Sequence, residues 1–247
     1  MKNNNFPPKA DQPRAEKFKI VVSVFLFFIS CFLILNFTHA QTVPPQFLVS
    51  WKAQNYVPDW YAGKIFPTAA TSVNVDFELI INGKPADLST TKVRWYVNDK
   101  LVKNENNGLG IKKINFITPN YFGQTAEVRI VLADFSAEGI IDKIIAIPVV
   151  RPEAVINAPY AGRGIKTGNS IFEVFPFFFN TNNKENFSVQ WSVLGQEPKS
   201  QKGDPFTLAL NIDSQMPAGS NVNLSVVMSN ITKALESASQ TINLVIK

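Results

Sequence analysis

The pentapeptide Val-Arg-Trp-Tyr-Val at residues 93–97 is repeated as Val-Gln-Trp-Ser-Val at residues 189–193, 96 positions later. The first copy alternates apolar and other residues, which is the period-2 pattern of a strand with one buried face. A tryptophan at the centre of such a strand has a large apolar surface to bury. The repeat therefore predicts two similar β-structured halves, built around Trp95 and Trp191.

Two further matches extend the repeat in the same order along the chain. Tyr-Ala-Gly-Lys at residues 61–64 recurs as Tyr-Ala-Gly-Arg at residues 160–163, an offset of 99. The apolar alternation of residues 128–132 matches that of residues 222–226, an offset of 94. Because loops of different length produce small drifts of this kind, the three matches indicate an internal duplication.

Each half contains the signals of several short strands. Residues 73–79 alternate cleanly, residues 128–132 alternate apart from Val131, and β-branched runs occur at residues 140–150 and 241–246. Turn-forming pairs separate these runs: Asn82-Gly83, Asn107-Gly108, Glu138-Gly139, Lys202-Gly203 and Ala218-Gly219. About seven strands in ~100 residues are typical of a β-sandwich. We therefore predict an all-β fold with two tandem sandwiches.

The V-x-W-x-V pattern resembles the third-strand tryptophan of bacterial immunoglobulin-like and PKD-like surface domains. The resemblance implies that Trp95 and Trp191 are structural core residues that pack between two sheets. Neither tryptophan is flanked by a cysteine pair, so burial alone must hold each core. Pro152 cannot donate a ladder hydrogen bond, which places the boundary between domain 1 (residues 41–151) and domain 2 (residues 152–247).

The N-terminal region predicts export. Residues 1–19 form a polar tail whose side chains sum to +3, and we expect this tail to stay in the cytoplasm. Residues 20–37 form an apolar run without a charge, which predicts contact with the membrane. Residues 20–40 are therefore either a signal peptide core, cleaved after Ala40, or a transmembrane anchor. On both alternatives the body is extracytoplasmic, and the protein is secreted or membrane-anchored.

The residue counts exclude several kinds of chemistry. The chain of 247 residues has one cysteine, Cys31, and one histidine, His39, and both precede the body. The body therefore lacks the residues for a Cys/His metal site, a Cys–His or Ser–His–Asp catalytic group or an internal disulfide. We predict no cofactor, no metal and no enzymatic activity. The body has 19 basic and 17 acidic residues without a Lys/Arg run, which argues against nucleic-acid binding.

Two aromatic clusters are candidate interaction sites. Residues 172–179 carry aromatic side chains on both faces of a predicted strand, so this stretch either docks a protein or neighbouring domain, or is covered by its own loops. Its candidate residues are Phe172, Phe175, Phe177 and Phe179. The second cluster near the start of domain 1 either stacks on sugar rings or packs structurally, against the sandwich or near the bilayer. It contains Trp51, Tyr56, Trp60 and Tyr61.

These features together predict a non-catalytic cell-envelope protein. The tandem sandwiches would act as a spacer, scaffold or protein-interaction module, and the partners would be other envelope or surface proteins. The alternative is a surface protein that binds carbohydrate through the aromatic cluster near the start of domain 1.

Overall fold

The computed structural model describes residues 44–136, 139–158, 160–198 and 203–247. Within these ranges the chain forms β-strands and three short 3₁₀ turns, and Pro45–Lys247 is one compact unit. The predicted leader at residues 1–40 lies outside the described residues. In the described ranges, no helix has the length and apolar character needed to cross a membrane.

The first sandwich consists of two antiparallel sheets. One sheet places β2 between β1 and β6, with the short β3 paired to the end of β2. The other sheet has the order β5-β4-β7-β8. The strands are β1 (Gln46–Ala53), β2 (Ser72–Ile81), β3 (Lys84–Pro85), β4 (Val93–Val97), β5 (Lys100–Lys103), β6 (Lys113–Ile117), β7 (Thr125–Ser136) and β8 (Gly139–Pro148).

The core of the first sandwich forms because alternate residues of β2 point to the same side. Val73, Val75, Phe77 and Leu79 are each at most 1% exposed. Trp95 on β4 is fully buried, with its ring centroid 5.5 Å from that of Phe77 in the other sheet. The Nε1–H of Trp95 donates to a backbone carbonyl at 2.8 Å, so its polar group is satisfied.

The second sandwich also consists of two sheets, which are antiparallel except where β10 pairs with β15. One sheet has the order β13-β11-β9 and the other has the order β10-β15-β14-β12. Trp191 on β12 is buried, and its Nε1–H donates to the carbonyl of Pro205 at 3.0 Å. The strands are β9 (Glu153–Asn157), β10 (Gly164–Ile165), β11 (Gly168–Phe177), β12 (Phe187–Val193), β13 (Thr207–Ile212), β14 (Asn221–Asn230) and β15 (Ser237–Ile246).

The strand pairing corrects one register of the repeat. Trp95 lies opposite Ile130, and Trp191 lies opposite Val226, so the equivalent strands β7 and β14 are offset by 96 residues rather than 94. A two-residue slip leaves every side chain on the same face of its strand, and apolar alternation cannot detect it. The turns that follow each tryptophan strand, at residues 98–99 and 194–195, have positive φ at both positions and keep the same offset of 96.

Gly110 offers a test of a tight approach in the first sandwich. Its φ is +63°, and a Cβ at this position would lie 2.6 Å from the carbonyl oxygen of Leu88. We expect Gly110→Ala to destabilise the protein by about 2 kcal/mol or more, since a left-handed conformation alone costs an L-residue roughly 1–2 kcal/mol. Gly83 also has positive φ, but no atom lies near its missing Cβ. Equilibrium unfolding should therefore show a smaller loss for Gly83→Ala, and equal losses would contradict the steric account.

An ion pair on the outside of the first sandwich predicts a titration. Arg94 donates from Nε and Nη2 to the two carboxylate oxygens of Glu105 at 2.9 and 2.6 Å. This hydrogen bonding, with a smaller contribution from the backbone, lowers the pKa of Glu105 from 4.5 to about 2.

Because the pKa is lower in the folded state, the stabilisation is present above pH 4.5 and disappears as the pH falls through about 2. A side-chain NMR titration should place the Glu105 midpoint near 2 in the wild-type protein. In Arg94→Leu the midpoint should rise toward 4.5, and an unchanged midpoint would contradict the assigned cause.

Candidate functional site

The two sandwiches meet through the connection between β1 and β2, which we call the junction segment (residues 54–71). Within this segment the Tyr56 backbone N–H donates to the carbonyl of Phe179 at 2.7 Å, and the Phe178 N–H donates back to the carbonyl of Tyr56 at 2.7 Å. The first sandwich is thus joined to the second by an isolated antiparallel bridge as well as by the chain near Pro152. This contact between the sandwiches is therefore made by main-chain hydrogen bonds.

A buried asparagine in the junction segment holds this bridge in place. Asn55 is 6% exposed. Its Nδ2 donates to the carbonyls of Phe66 at 2.9 Å and Phe178 at 2.8 Å. Its Oδ1 accepts from the Thr71 hydroxyl at 3.0 Å. One amide therefore bonds both its own segment and the end of β11 in the second sandwich.

A carboxyl group from the second sandwich completes the network. Glu236 precedes β15 and is 6% exposed. Its Oε1 accepts from the Thr68 hydroxyl at 3.1 Å and from the Asn180 backbone N–H at 2.8 Å, and its Oε2 accepts from the Asn230 Nδ2 at 2.6 Å. Every buried side-chain nitrogen and oxygen of the described residues has a partner, so the junction is polar but fully satisfied.

Aromatic rings surround this polar centre. Phe178 lies just after β11 with a φ of 63°, a left-handed conformation that is uncommon for a bulky residue. Its ring makes an edge contact with Phe66 at 5.7 Å and with Tyr61 at 6.0 Å. Tyr61 also contacts Phe177 at 5.4 Å. The aromatic pairs bury apolar surface from both sandwiches and exclude water from the hydrogen bonds.

The Phe-rich stretch is mostly covered. Phe172 and Phe179 are fully buried in the second core, while Phe177 is 8% exposed beneath the junction segment. Phe175 is half-buried and lies 5.2 Å from Trp60, measured between ring centroids. The segment that covers the outer face of β11 therefore comes from the first sandwich.

The structure places the second aromatic cluster at this same junction. Tyr56 makes an edge contact with Phe187 at 5.1 Å, and burial, with the neighbouring charge of Asp59, raises the pKa of Tyr56. Trp51 is half-buried, with the Lys64 Nζ 3.9 Å from its ring centroid. Lys64 thus occupies a face that sugar stacking would need.

Trp60 has the largest exposure of the eight candidate residues, all of which the structure describes. It is 62% exposed and rests by edge contacts on Phe175 and on Phe177 at 5.9 Å. The exposed part of the side chain leaves apolar surface open to solvent. The interaction roles of the eight residues stay predictions.

The sequence did not reveal the polar members of the junction. Asn55, Thr68 and Glu236 lie in irregular segments, where polar residues normally face water. Their contacts join residues as far apart as 168 positions, and neither period-2 alternation nor a short motif marks such pairs. Phe178 was within the unusual aromatic stretch, but its role at the end of β11 depends on its backbone conformation.

The described residues offer no group of three or more His, Cys, Asp or Glu side chains able to hold a metal ion. The carboxyl group of Glu236 is engaged by neutral donors. The arrangement that the structure does provide is a buried junction with an exposed tryptophan at its margin.

The strand order identifies the architecture as immunoglobulin-like. In the first half, β1, β2 and β6 share a sheet, and β4, β7 and β8 lie in the other. In the second half, β9, β11 and β13 share a sheet, and β12, β14 and β15 lie in the other, so the tryptophan strand shares a sheet with the last two strands in both halves. No family model matches the chain, and no curated protein matches it.

Several solved structures resemble the chain, all at low identity. The three N-terminal domains of the Hoc outer capsid protein of bacteriophage RB49 are 9% identical, with a TM-score of 0.40, covering 82% of this chain and 59% of that one. The SGBP-B protein of Bacteroides ovatus, solved with a mixed-linkage heptasaccharide, is 15% identical, with a TM-score of 0.23, covering 84% of this chain and 48% of that one. Immunoglobulin domains 1–4 of Sidekick-1 are 10% identical, with a TM-score of 0.27, covering 83% of this chain and 70% of that one.

The chain thus spans less than two thirds of the length of the first two structures. The likeness concerns the fold.

Proposed function

We propose that this protein is a non-catalytic component of the cell envelope whose two sandwiches act as one rigid scaffold. The observation that carries the proposal is the buried junction centred on Glu236. A tandem pair joined only by a short linker is expected to hinge, because interfaces between domains are usually small and polar. Here a hinge motion would separate Glu236 from Thr68 and Asn55 from the Phe178 carbonyl.

Burial and hydrogen bonding at the junction favour a fixed orientation of the two sandwiches. Opening the junction would expose Phe177 and Phe178, which are each 8% exposed, and would remove aromatic contacts with Tyr61. It would also break side-chain hydrogen bonds that contribute about 0.5–1.5 kcal/mol each. A module of this kind holds a fixed distance and direction, which is the requirement for a spacer or scaffold.

The location is part of the proposal. Residues 1–19 and the apolar run at residues 20–37 support export across the cytoplasmic membrane, with a body that is secreted or anchored. Envelope or surface proteins would be the partners. A protease-protection assay on intact cells and spheroplasts tests this: the body should be accessible from outside the cytoplasmic membrane, and protection until the cells are lysed would contradict export.

The interaction part can be tested at Trp60. A photo-crosslinking amino acid at position 60 in the full chain should capture an envelope protein in the native cell. The same amino acid at Leu48, which is 58% exposed in β1, is the matched control. Equal crosslinking from both positions would indicate unspecific proximity and would contradict a site at Trp60.

Carbohydrate binding is the second candidate function, and the exposed ring of Trp60 is the observation that favours it. A glycan array probed with the full chain tests it directly. The control is Tyr121→Ala, a variant of another exposed aromatic residue. If specific binding disappeared in Trp60→Ala but persisted in Tyr121→Ala, the role of this surface would be to bind carbohydrate rather than an envelope protein. Tyr121 is 69% exposed.

A further inference from the structure

A groove runs along the side of the second sandwich, between the edge strand β9 and the part of β15 that β10 does not cover. Its volume is about 560 Å³, within the range of ligand sites in proteins. Residues 151–155 form one wall and residues 237–240 form the other. Phe122 and Leu235 lie at its margin, and Leu235 is 94% exposed.

The β15 wall presents main-chain groups that no strand covers. The Asn230 N–H donates to the Glu236 carbonyl, so these two residues are a hydrogen-bonded pair. In an antiparallel ladder such pairs recur at every second residue, and the even-numbered residues of β15 therefore bond to β14. The N–H and C=O groups of Ser237 and Ser239 therefore point away from β14, toward the groove. Neither residue has a further hydrogen bond within the described part of the chain.

The far end of the same edge already accepts a strand. β10 pairs in parallel with β15 at Val245 and Ile246, and the Lys247 N–H donates to the carbonyl of Ile165 at 2.8 Å. β10 reaches no further along β15. The edge of β15 is thus filled at its C-terminal end and open at Ser237 and Ser239.

The β9 wall limits the length of the open part. Val155 pairs with Phe175 in β11, so the backbone groups of Ala154 and Ile156 face β15. The Ile156 N–H donates to the Gln240 side-chain oxygen, which bridges the two walls and closes the groove at that point. The part of β15 that lines the groove is therefore short, residues 237–240.

The margin of the groove indicates which side chains an occupant would carry. The Arg151 guanidinium lies 6.0 Å from the Phe122 ring centroid and has no carboxylate partner among the described residues. It would pair with an acidic side chain. Phe122 and the exposed Leu235 would contact an apolar one.

We propose that this groove binds an extended peptide segment of a partner protein, which adds a strand to β15 at Ser237 and Ser239. The segment carries an acidic residue for Arg151 and an apolar residue for Phe122 and Leu235. Main-chain hydrogen bonds give such complexes affinity and the side chains give them specificity. The inference rests on the proposed interaction function and names the chemistry of one partner surface.

The test uses a displayed library of random decapeptides selected against the full chain, followed by fluorescence polarisation with the synthetic peptide. We expect selected sequences to contain an acidic and an apolar residue. Ser239→Pro removes the N–H that faces the groove and should weaken binding at least tenfold. Ala209→Pro is the matched control, because Ala209 is exposed on β13 and its N–H faces away from β11 at the other edge of its sheet.

Amide hydrogen exchange keeps the test independent of how well the proline variant folds. In the wild-type protein, the bound peptide should slow exchange at Ser237 and Ser239. Failure to select any peptide, or equal binding by Ser239→Pro, or exchange protection elsewhere, would overturn the inference. If these fail while position 60 still captures an envelope protein specifically, the groove alone is wrong and the proposed function stands.

Discussion

Trp191→Ala is expected to reduce the stability of the protein by about 3–5 kcal/mol. The substitution removes a large ring that is 1% exposed and leaves a cavity between the sheets. It also leaves the Pro205 carbonyl without the Nε1–H donor. For a unit of this size, each kcal/mol of lost stability lowers the melting temperature by ~2–4 °C. Calorimetry should therefore show a melting temperature lower by roughly 6–20 °C.

Trp95→Ala should behave in the same way, since Trp95 is equally buried and also donates from Nε1. Trp60→Ala is the matched control. It removes the same side chain from a position that is 62% exposed, and we expect a much smaller change. If Trp95→Ala and Trp191→Ala both melted like the wild-type protein, neither tryptophan would be the centre of a sandwich core.

Glu236→Ala is expected to cost roughly 3 kcal/mol. The substitution leaves the Asn180 N–H without its acceptor and removes one of the partners of the Thr68 hydroxyl and of the Asn230 amide. The hydroxyl keeps its contact with Thr71, and the amide keeps its bond to the Asn180 carbonyl. A buried donor without an acceptor costs about 1–3 kcal/mol, although the hydroxyl can turn toward another acceptor. Differential scanning calorimetry should detect a melting temperature lower by roughly 6–12 °C.

The loss should be specific to the junction. Glu197→Ala removes an exposed carboxylate that follows β12 in the second sandwich and is not part of this network, and it should leave the melting temperature nearly unchanged. Glu236→Gln keeps the size of the side chain but places a donor against another donor, so it should also destabilise. Equal melting of Glu236→Ala and Glu197→Ala would show that the junction contributes little.

The sequence allowed the sandwiches to be predicted because their cores depend on local patterns. Alternation in residues 73–79 places one set of side chains on one face, and the repeated tryptophans mark the strand that faces it. The register of β14 was misplaced by two residues because that slip does not change the buried face. Alternation of this kind shows which face of a strand is buried, but it determines the pairing register between strands only weakly.

The junction was not predictable from the sequence, and the physical reason is different from that for the register. Thr68 and Glu236 are 168 positions apart, and both lie outside regular strands, where their polarity indicated exposure. The bulk of residues 172–179 was visible in the sequence, but the segment that covers it belongs to the other half of the repeat. Tyr61 and Tyr160 illustrate the difference: the repeated tetrapeptides match, yet Tyr61 packs on Phe177 and Tyr160 packs on Phe172 of its own core.

Residual dipolar couplings of backbone amides test the central claim most directly. Couplings from the first sandwich, residues 46–148, and from the second, residues 153–246, should fit one alignment tensor with the same magnitude and orientation. Two distinct tensors in the wild-type protein would mean that the sandwiches reorient independently, and the rigid scaffold would be excluded.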